Sequence, residues 1–447
     1  MTSNLDILCG LLEATRRLGA DAADGIMVET SDVSSLRRMG KPEGLERSET
    51  KAIGLRAFFG HKQAIASSTD THPDALKELA ARAVSMAKAA TPDPDSRLAT
   101  GGLLAKNLPK LDLYDAKEPP LSWLAEQCQR AEEAALSVKG ITNSEGSEAH
   151  YGNGRVSLAT SGSDASFAQE YQTSQFSISV SVLGGENTDM QRDYDFTSAH
   201  HRADLKDAHD IGISAGERTI KRLNPRRVAS QQVPVVFDPR VSRNLVSTFA
   251  SAISGSSIAR GSSFLKDAMG TSVFAPNVTI TDDPHRKRGL GSKPFDGEGV
   301  AGKKLTLIEN GVLKTWLLDV RTAHKLGLVT TGHASRGIAS PPSPSSTNLT
   351  LGNGTLTAQE LMSDIKNGLY LTETFGMGVN IVTGDYSQGA SGFWIENGEI
   401  AYPVSEITIA GKLQDMFARL VPANDLEYRY ATNAPTVRVE GMTIAGT

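Results

Sequence analysis

The chain has 447 residues, enough for two or three domains with a sizeable buried core. Its 42 glycines and its aromatic content of only 6% favour strands and turns over a helical bundle. The formal net charge of -5 does not supply the broad positive field that binds phosphate backbones, which argues against nucleic acid as a partner. We predict an α+β protein with a mixed α/β N-terminal half and a β-rich C-terminal half with antiparallel hairpins.

The cysteine content and the N-terminus indicate the cellular compartment. Cys9 and Cys128 both fall in segments that read as helix, so they indicate neither a disulfide framework nor a cysteine-based metal site. The N-terminus lacks a basic stretch ahead of its apolar residues, and no apolar run is long enough to span a bilayer. We expect a cytoplasmic protein that does not associate with membranes.

Residues 1–225 are predicted to form an N-terminal α+β domain. Its first helix has apolar residues at helical spacing, a cap at Ser3 or Asn4, and Gly19 as its stop. Alternating short runs follow at 25–68, and this alternation predicts antiparallel strands.

The rest of this first half is predicted from helical and strand periodicity. Pro73 opens a second helix, and the proline-rich stretch at about 91–120 has the composition of a crossing segment or linker. Ser122 is the predicted cap of a helix that continues to Val138. Apolar residues alternate over 176–182, which predicts a long strand.

Residues 226–447 are predicted to form a β-rich C-terminal domain. It begins with an apolar strand at 233–237, after a helix that ends at Leu223. Asp238 and Pro239 then supply an N-cap and a proline at the first helical position, so another helix follows directly.

Turn and capping signals continue through the second half. Thr357 and Glu360 form a capping box, and Gly368 is the predicted stop of that helix. The run SPPSPSS at 340–346 predicts a loop that cannot enter a sheet interior. Two Asn-Gly pairs predict tight type I′ hairpins, because both central residues must tolerate positive φ: Asn310-Gly311 and Asn397-Gly398.

One short motif resembles a phosphate-binding loop. Residues 297–303, GEGVAGK, match part of the pattern, but Lys304 stands where a Ser or Thr holds magnesium. A phosphate loop must open a helix, whereas the residues after Lys304 form a predicted strand that runs into the hairpin. We interpret the stretch as an exposed loop.

A second motif, GISAG at 212–216, matches the nucleophile elbow of hydrolases, with Ser214 at its centre. No apolar strand precedes it, and the flanking residues continue as one amphipathic helix. Ser214 is therefore predicted to be an ordinary helical serine. His209 lies in the same helical run, and nothing in the sequence fixes it as a base for Ser214.

No histidine in the sequence belongs to an HExxH or HExxxH motif, and we interpret the histidines as neutral surface or capping residues. A zinc site needs at least three convergent ligands, so a site built from distant segments stays open at this stage. The nine positions are His61, His72, His150, His200, His201, His209, His285, His324 and His333.

Three stretches together resemble the TldD/PmbA family of peptidase subunits, most closely its TldE/PmbA branch. The most specific is GDYSQGASGFWIENGEIAYPVSEITIAGKLQDMF at 384–417. The other two are SGSSIARGSSFLKDAMG at 254–270 and LTLIENGVLKTWLLD at 305–319. The resemblance covers nearly the whole chain and is most specific from residue 233 onward.

The resemblance also implies what this chain lacks. TldD-type members carry an HExxxH zinc helix after an apolar strand, and the matching positions here are Ser247, Thr248 and Ala252. None of these residues can bind zinc as imidazole or activate water as a carboxylate. Such members also resemble a group with a cysteine ligand near the C-terminus, and no cysteine occurs here after Cys128. We expect no catalytic residue and no metal in this chain, and zinc in a TldD-like partner.

The family therefore implies a heterodimer in which a zinc-bearing TldD-like subunit hydrolyses peptides in a shared chamber. This chain completes the wall and acts in the proteolysis or maturation of small unfolded proteins and peptides. Extended peptide substrates suit such a chamber, since strand addition binds main chain largely independently of sequence. A homodimer is the expected alternative when the chain is isolated.

The signature stretch supplies the candidate contact residues. The run DYSQGASG predicts exposed backbone amides, and Ser391, Gly392 and Trp394 are the predicted contacts with substrate or partner. Hairpin patterning alone also explains the region, with Trp394 and Glu396 covering the outer face of the hairpin.

Two other functions remain alternatives. One is a stand-alone metallohydrolase with an unrecognised site that involves His200, His201 or His209. The other is a peptide-binding or regulatory protein that acts without a protease partner.

Overall fold

The N-terminal half is built on one long antiparallel sheet. The structure is a computed structural model that describes residues 3–163 and 166–446, with only the backbone of Thr188. The elements of this half are α1 (Asn4–Arg17), β1 (Ala22–Arg38), β2 (Lys41–Phe59), β3 (Lys62–Ser68), α2 (Pro73–Ala89), α3 (Leu121–Ser137), β4 (Ile141–Ser161), β5 (Ser166–Gly184), β6 (Gln191–Ala199) and α4 (Ala208–Lys221). The six strands are in the order β3-β2-β1-β4-β5-β6, and every pair is antiparallel.

Each face of this sheet is covered by a different part of the chain. The helices α1 and α2 bury one apolar cluster against β1 and β2, and α3 and α4 bury a second against β4 and β5. A third cluster joins Ile26 and Leu158 of the sheet to Phe295 and Val300 from the second half. The N-terminal sheet is therefore a shared surface on which the second half of the chain packs.

The local signals of the first half are confirmed except at one cap. Ser3 caps α1 in a capping box, and Gly19 follows the helix with φ +99°. The helix α3 begins one residue before Ser122, and its N-cap is Pro120, which makes no side-chain capping bond. The prediction of Ser122 as the cap is wrong, because Pro120 already holds the extended φ and ψ that an N-cap needs.

The C-terminal half contains many short elements around one closed sheet. In chain order these are β7 (Gln231–Phe237), α5 (Pro239–Ala252), α6 (Gly255–Ala259), β8 (Ile280–Asp282), β9 (Leu305–Glu309), β10 (Val312–Leu313), α7 (Val320–Lys325), β11 (Ala334–Ser335), β12 (Ser343–Pro344), β13 (Leu349–Leu351), α8 (Ala358–Met362), β14 (Asn367–Phe375), β15 (Val379–Asn380), β16 (Asp385–Glu396), β17 (Glu399–Lys412), α9 (Leu413–Ala418), β18 (Leu420–Pro422), β19 (Thr432–Asn433) and β20 (Val437–Ala445).

The main sheet closes on itself. Its strands follow the order β14-β7-β20-β17-β16, and β16 pairs back to β14. The pairing of β7 with β14 is parallel, and the other neighbours are antiparallel. A large buried apolar core fills this half and includes Phe237, Phe249 and Phe417.

Both predicted Asn-Gly hairpins are confirmed by their backbone angles. Asn310 and Gly311 have φ of 49° and 82°, and Asn397 and Gly398 have φ of 51° and 84°. The capping box of Thr357 and Glu360 is also present. The prediction of Gly368 as the helix stop is wrong. The helix α8 ends at Met362, and Gly368 belongs to β14, where Pro234 of β7 lies against it.

These observations confirm the α+β fold class with its antiparallel hairpins. The segment 91–120 crosses onto the second half, where Leu104 bridges Val300 and the Ala105 amide donates to the Gly299 carbonyl at 2.9 Å. The division of the chain near residue 225 stays a prediction. Across the described ranges, no helix is both long and apolar enough to cross a membrane.

Candidate functional site

The helix α5 occupies the place of the zinc helix that the family resemblance implies. It forms because Asp238 accepts a hydrogen bond from the Arg240 amide at 2.9 Å and Pro239 fills the first helical position. Its apolar face, with Leu245 and Phe249, is buried in the core of the C-terminal half.

The three positions that the resemblance aligns with His, Glu and His of HExxxH lie in different environments. Ser247 is exposed, Thr248 is half-buried, and Ala252 is completely buried in the core. An imidazole in place of Ala252 would have to displace packed apolar side chains. Ser247 and Ala252 therefore do not form a common ligand site on this helix.

The three histidines of the alternative hydrolase are held by separate partners. Both ring nitrogens of His200 lie against backbone carbonyls, at 2.6 Å from Ser174 and 3.1 Å from Gly289. His201 contacts the carbonyl of Asp112 at 2.9 Å, whereas His209 is largely exposed at the start of α4. The structure does not bring these three histidines together into one site.

Two buried histidines correct the prediction of surface histidines. His200 is 6% exposed, and His333 is completely buried. The Nε2 atom of His333 lies 2.9 Å from the carboxylate of Asp282, which also accepts the backbone amide of Thr347. These contacts give His333 a defined place in the packing of the second half.

The two short motifs have different outcomes. Ser214 lies inside α4, as predicted. The prediction of an exposed loop at 297–303 is wrong over its first part, because Glu298 and Val300 are at most 3% exposed. Glu298 accepts the Val320 amide at 2.8 Å, so this stretch is a buried turn.

The first part of the signature stretch forms β16 (Asp385–Glu396), an interior strand of the closed sheet. Its backbone pairs with β14 on one side and β17 on the other, so the prediction of exposed amides over DYSQGASG is wrong. Gly392 lies so close to β14 that an added Cβ would sit 2.1 Å from the Tyr370 carbonyl oxygen. A larger residue would push these two strands apart.

The predicted contact residues on β16 are covered by the protein itself. Ser391 is 5% exposed and accepts a hydrogen bond from the Arg222 guanidinium at 2.8 Å. Trp394 is 3% exposed and belongs to the core, so its predicted place on the outer hairpin face is wrong, whereas Glu396 is exposed as predicted. The role of Ser391, Gly392 and Trp394 in binding stays a prediction. The side chains of Ser391 and Trp394 can contact a substrate or partner only if the residues that cover them move.

Sequence reasoning missed a cluster of buried charges between the two halves. This buried cluster consists of Asp24, Arg56, Glu298 and Arg336, each at most 4% exposed by side chain. Asp24 accepts from Arg56 Nε at 3.1 Å, and Arg336 Nη1 lies 2.7 Å from the same carboxylate. The members come from β1, β2 and two distant loops, so no local sequence pattern reports them.

Burial raises the pKa values of the acid groups in the buried cluster, and pairing with arginine lowers them. Burial alone would raise the pKa of Asp24, but Arg336 and Arg56 hold it below its ordinary value. Burial and the nearby Asp296 carboxylate raise the pKa of Glu298 to about 8. Glu298 is therefore the acid group of this cluster that titrates near neutral pH.

A cavity of about 550 Å³ opens where α4 and β6 meet the closed sheet. We call it the seam pocket. Arg218 and Lys221 of α4 line one side, and the outer surface of β14, β16 and β17 forms the floor. The floor residues are Tyr370, Thr372, Phe393, Ile400, Ala401, Tyr402 and Pro403.

A charged network supports the rim of the seam pocket. Asp193 of β6 pairs with Arg222 at 3.3 Å and with Arg240 at 2.9 Å. Burial disfavours the Arg240 charge, but Asp193 and Tyr194 hold its pKa above the ordinary value. Arg222 also reaches Glu373 on β14, so the network ties the N-terminal half to the closed sheet.

Comparison with known families covers most of the chain. Models of the PmbA/TldA metallopeptidase match domain 1 at residues 23–87, the central domain at 114–223, and the C-terminal domain at 230–446. Metalloprotease PmbA of Escherichia coli O157:H7 is 38% identical over 96% of this chain and 93% of its own length. The chain belongs to the PmbA/TldD family.

Further relatives agree with this assignment. A Metalloprotease PmbA homolog of Haemophilus influenzae is 37% identical over 97% of this chain and 94% of that protein. A crystal structure from Bacteroides thetaiotaomicron, described as a candidate modulator of DNA gyrase, has a TM-score of 0.90 and 26% identity over all of both chains. TldE of Thermococcus kodakarensis has a TM-score of 0.87 over 98% of this chain and all of that one, and at 20% identity it shows the fold alone.

The zinc of a TldD-like family member does not fit the residues at the matching place here. Ser247, Thr248 and Ala252 offer no imidazole, thiolate or carboxylate. Within residues 3–163 and 166–446, no group of three or more His, Cys, Asp or Glu side chains can hold a metal ion. The absence of a resident metal from this family member stays a prediction.

Proposed function

We propose that this chain is the TldE/PmbA-like subunit of a metallopeptidase complex and that a TldD-like partner supplies the zinc. The complex acts in proteolysis or maturation of small unfolded proteins and peptides. The proposal rests on one observation: a helix lies at the expected place, but its residues at the expected zinc-ligand positions are not zinc ligands. The helix α5 has its cap and its buried face, but presents Ser247, Thr248 and Ala252 where zinc would be bound.

The names of the relatives support the peptidase part of the proposal. The proteins from Escherichia coli and Haemophilus influenzae that match nearly the full chain are both named for metalloprotease activity. A chain that shares their length and fold but cannot hold zinc on α5 fits best as a companion of a zinc-bearing subunit. Its contribution is then shape and binding surface, and the partner supplies the water-activating chemistry.

The N-terminal sheet has an edge that suits an extended peptide. The strand β3 pairs with residues 53–59 of β2, so residues 41–51 have β1 as their strand neighbour among the described residues. Main-chain groups along such an edge can pair with a peptide of almost any sequence. The edge of β6 is less open, because Asp193 and Asp195 accept the amides of Tyr194 and Phe196.

The decisive experiment measures hydrolysis of an unfolded protein such as casein by this chain, by an HExxxH-bearing relative, and by the two mixed. We expect full activity only in the mixture and recovery of the two chains in near-equal amounts. A partner whose motif Glu is changed to Gln is the matched control, and its mixture is expected to be inactive. Full activity of this chain alone, with stoichiometric bound zinc, would contradict the proposal.

The same experiment separates the alternatives. A stand-alone hydrolase loses activity when His200, His201 or His209 is changed, although the three imidazoles contact different partners in the structure. A peptide-binding protein without a protease partner binds casein but co-purifies with no HExxxH-bearing relative. The cytoplasmic location and the homodimer of the isolated chain stay predictions.

A further inference from the structure

We propose that the seam pocket binds a small carboxylate attached to an apolar group, such as the C-terminal residue of a peptide with an aliphatic side chain. This goes beyond the proposed function, since it concerns a site within this chain that needs no partner subunit. The proposal rests on the shape of the pocket, its apolar floor and a guanidinium nitrogen of Arg218 that has no hydrogen-bond partner among the described residues.

The floor of the pocket is an apolar surface across three strands. Tyr370 of β14 is the register neighbour of Phe393 on β16, and Phe393 is the neighbour of Pro403 on β17. Ile400 and Ala401 extend this surface and are exposed, with Ile400 at 47%. Apolar side chains left open inside a concave site mark a place where a ligand is buried.

The side wall carries two cations from one face of α4. Arg218 and Lys221 are three residues apart, which places their side chains next to each other on the helix. The Nη1 atom of Arg218 is buried and has no hydrogen-bond partner among the described residues. A buried donor without an acceptor destabilises the folded chain, and a bound anion would supply the missing acceptor.

The carboxylates around the pocket do not neutralise this charge. Asp193 is shared by Arg222 and Arg240, and Asp238 caps α5 while it accepts the Tyr370 hydroxyl at 2.9 Å. The charged residues that line the pocket are three cations, Arg218, Lys221 and Arg240, and two carboxylates, so the ligand is expected to be an anion. A guanidinium beside an ammonium can hold a carboxylate through charge-assisted hydrogen bonds.

The size of the cavity restricts the ligand further. About 550 Å³ falls within the range of roughly 300 to 1,000 Å³ that holds small molecules, which suits one to a few amino-acid residues. The apolar floor and the cationic wall lie on different sides, so the ligand must present a charged end and an apolar end. A peptide C-terminus with an aliphatic last residue has both.

The first test uses the unmodified full-length chain and calorimetric titration with N-acetyl-leucine. We expect saturable 1:1 binding, at least tenfold weaker binding of N-acetyl-leucinamide, and a similar loss for N-acetylglycine. Equal binding of the amide would overturn recognition of the carboxylate, and equal binding of inorganic phosphate would reduce the site to a general anion site. No binding of N-acetyl-leucine would overturn the proposal.

The second test uses variants that alter each part of the pocket. Arg218→Gln removes the guanidinium, and Ala401→Trp fills the cavity from an exposed position. Each is expected to weaken binding of N-acetyl-leucine at least tenfold. Lys77→Gln, on α2 far along the chain and 75% exposed, is the matched control and is expected to bind like the unmodified chain. Unchanged affinity in both pocket variants contradicts the proposal.

Discussion

Two groups of charges connect the halves of this protein, and they differ in how deeply they are buried and in whether they border an open cavity. In the buried cluster, Arg56 and Arg336 converge on Asp24, and their side chains are at most 4% exposed. At the seam pocket, Asp193 is paired but Arg218 keeps a donor without an acceptor beside an open cavity. We expect the first group to contribute more to stability, and the second to contribute to the ligand binding proposed above.

The largest expected effect comes from removing the central acid of the buried cluster. Asp24→Ala leaves the two guanidiniums of Arg56 and Arg336 buried without their carboxylate, which typically costs about 3 to 5 kcal/mol. Urea denaturation should show this loss in the free energy of unfolding. Asp267→Ala, at an exposed position, is the control. A loss no larger than that of the control would mean that the cluster does not stabilise the fold.

A second prediction concerns pH and Glu298. Its pKa is about 8 in the folded chain against 4.5 in the unfolded chain, so the folded state holds more protons between these values. The free energy of unfolding therefore falls as pH rises from about 4.5 to 8, at about 1.4 kcal/mol per unit of pKa difference at most. Glu298→Gln has no proton to lose, so its stability relative to the unmodified chain should rise over this window.

Denaturation at pH 5 and at pH 8.5 measures this difference. The exposed Glu396→Gln is the control, and its stability should follow that of the unmodified chain at both values. Parallel behaviour of Glu298→Gln would show that the acid is ionised throughout and that its burial has no energetic consequence.

A smaller effect is expected at the rim of the seam pocket. Asp193→Asn removes the charge that pairs with Arg222 and Arg240, both of which are 13% exposed by side chain. The amide retains some hydrogen bonding and water can reach the arginines, so the expected loss is about 1 to 2 kcal/mol. Thermal denaturation should place this variant between Asp24→Ala and the unmodified chain. A loss as large as that of Asp24→Ala would make the two groups equivalent.

The smallest stability effect is expected for Arg218→Gln. Its Nη1 donor has no acceptor among the described residues, so removal of the guanidinium should lower the free energy of unfolding by no more than about 0.5 kcal/mol. The same variant should lose affinity for N-acetyl-leucine, so we expect Arg218 to contribute to ligand binding and not to the stability of the fold. A large destabilisation would assign Arg218 to the framework instead.

The fold was largely predictable where the signal was local. The Asn397-Gly398 turn and the Asp238 cap depend on one or two residues, and both are present. Trp394 was placed on the wrong face because the pairing of β16 with β17 shifts between Trp394 and Ile395. A shift of one residue reverses the faces of a strand, and sequence alternation alone cannot report it.

The candidate sites were less predictable than the fold. The resemblance predicted a helix after the strand at 233–237, and α5 is present there. The assignment of Ser247, Thr248 and Ala252 as its ligand positions stays a prediction. The buried cluster joins Asp24 to Arg336, which are far apart in sequence and meet only after the halves pack. Residues 297–303 were interpreted as an exposed loop after the phosphate-loop pattern was rejected, and the burial of Glu298 depends on contacts with the other half, such as Arg56.

The crossing segment at 91–120 has a consequence for how the polypeptide can be divided. Its residues lie on the second half, and β1 forms a long ladder with β4, so noncovalent contacts continue on both sides of this stretch. A single proteolytic nick within it should leave the two fragments associated through a gel filtration column. Split genes that encode the fragments separately should then reconstitute a folded particle by complementation.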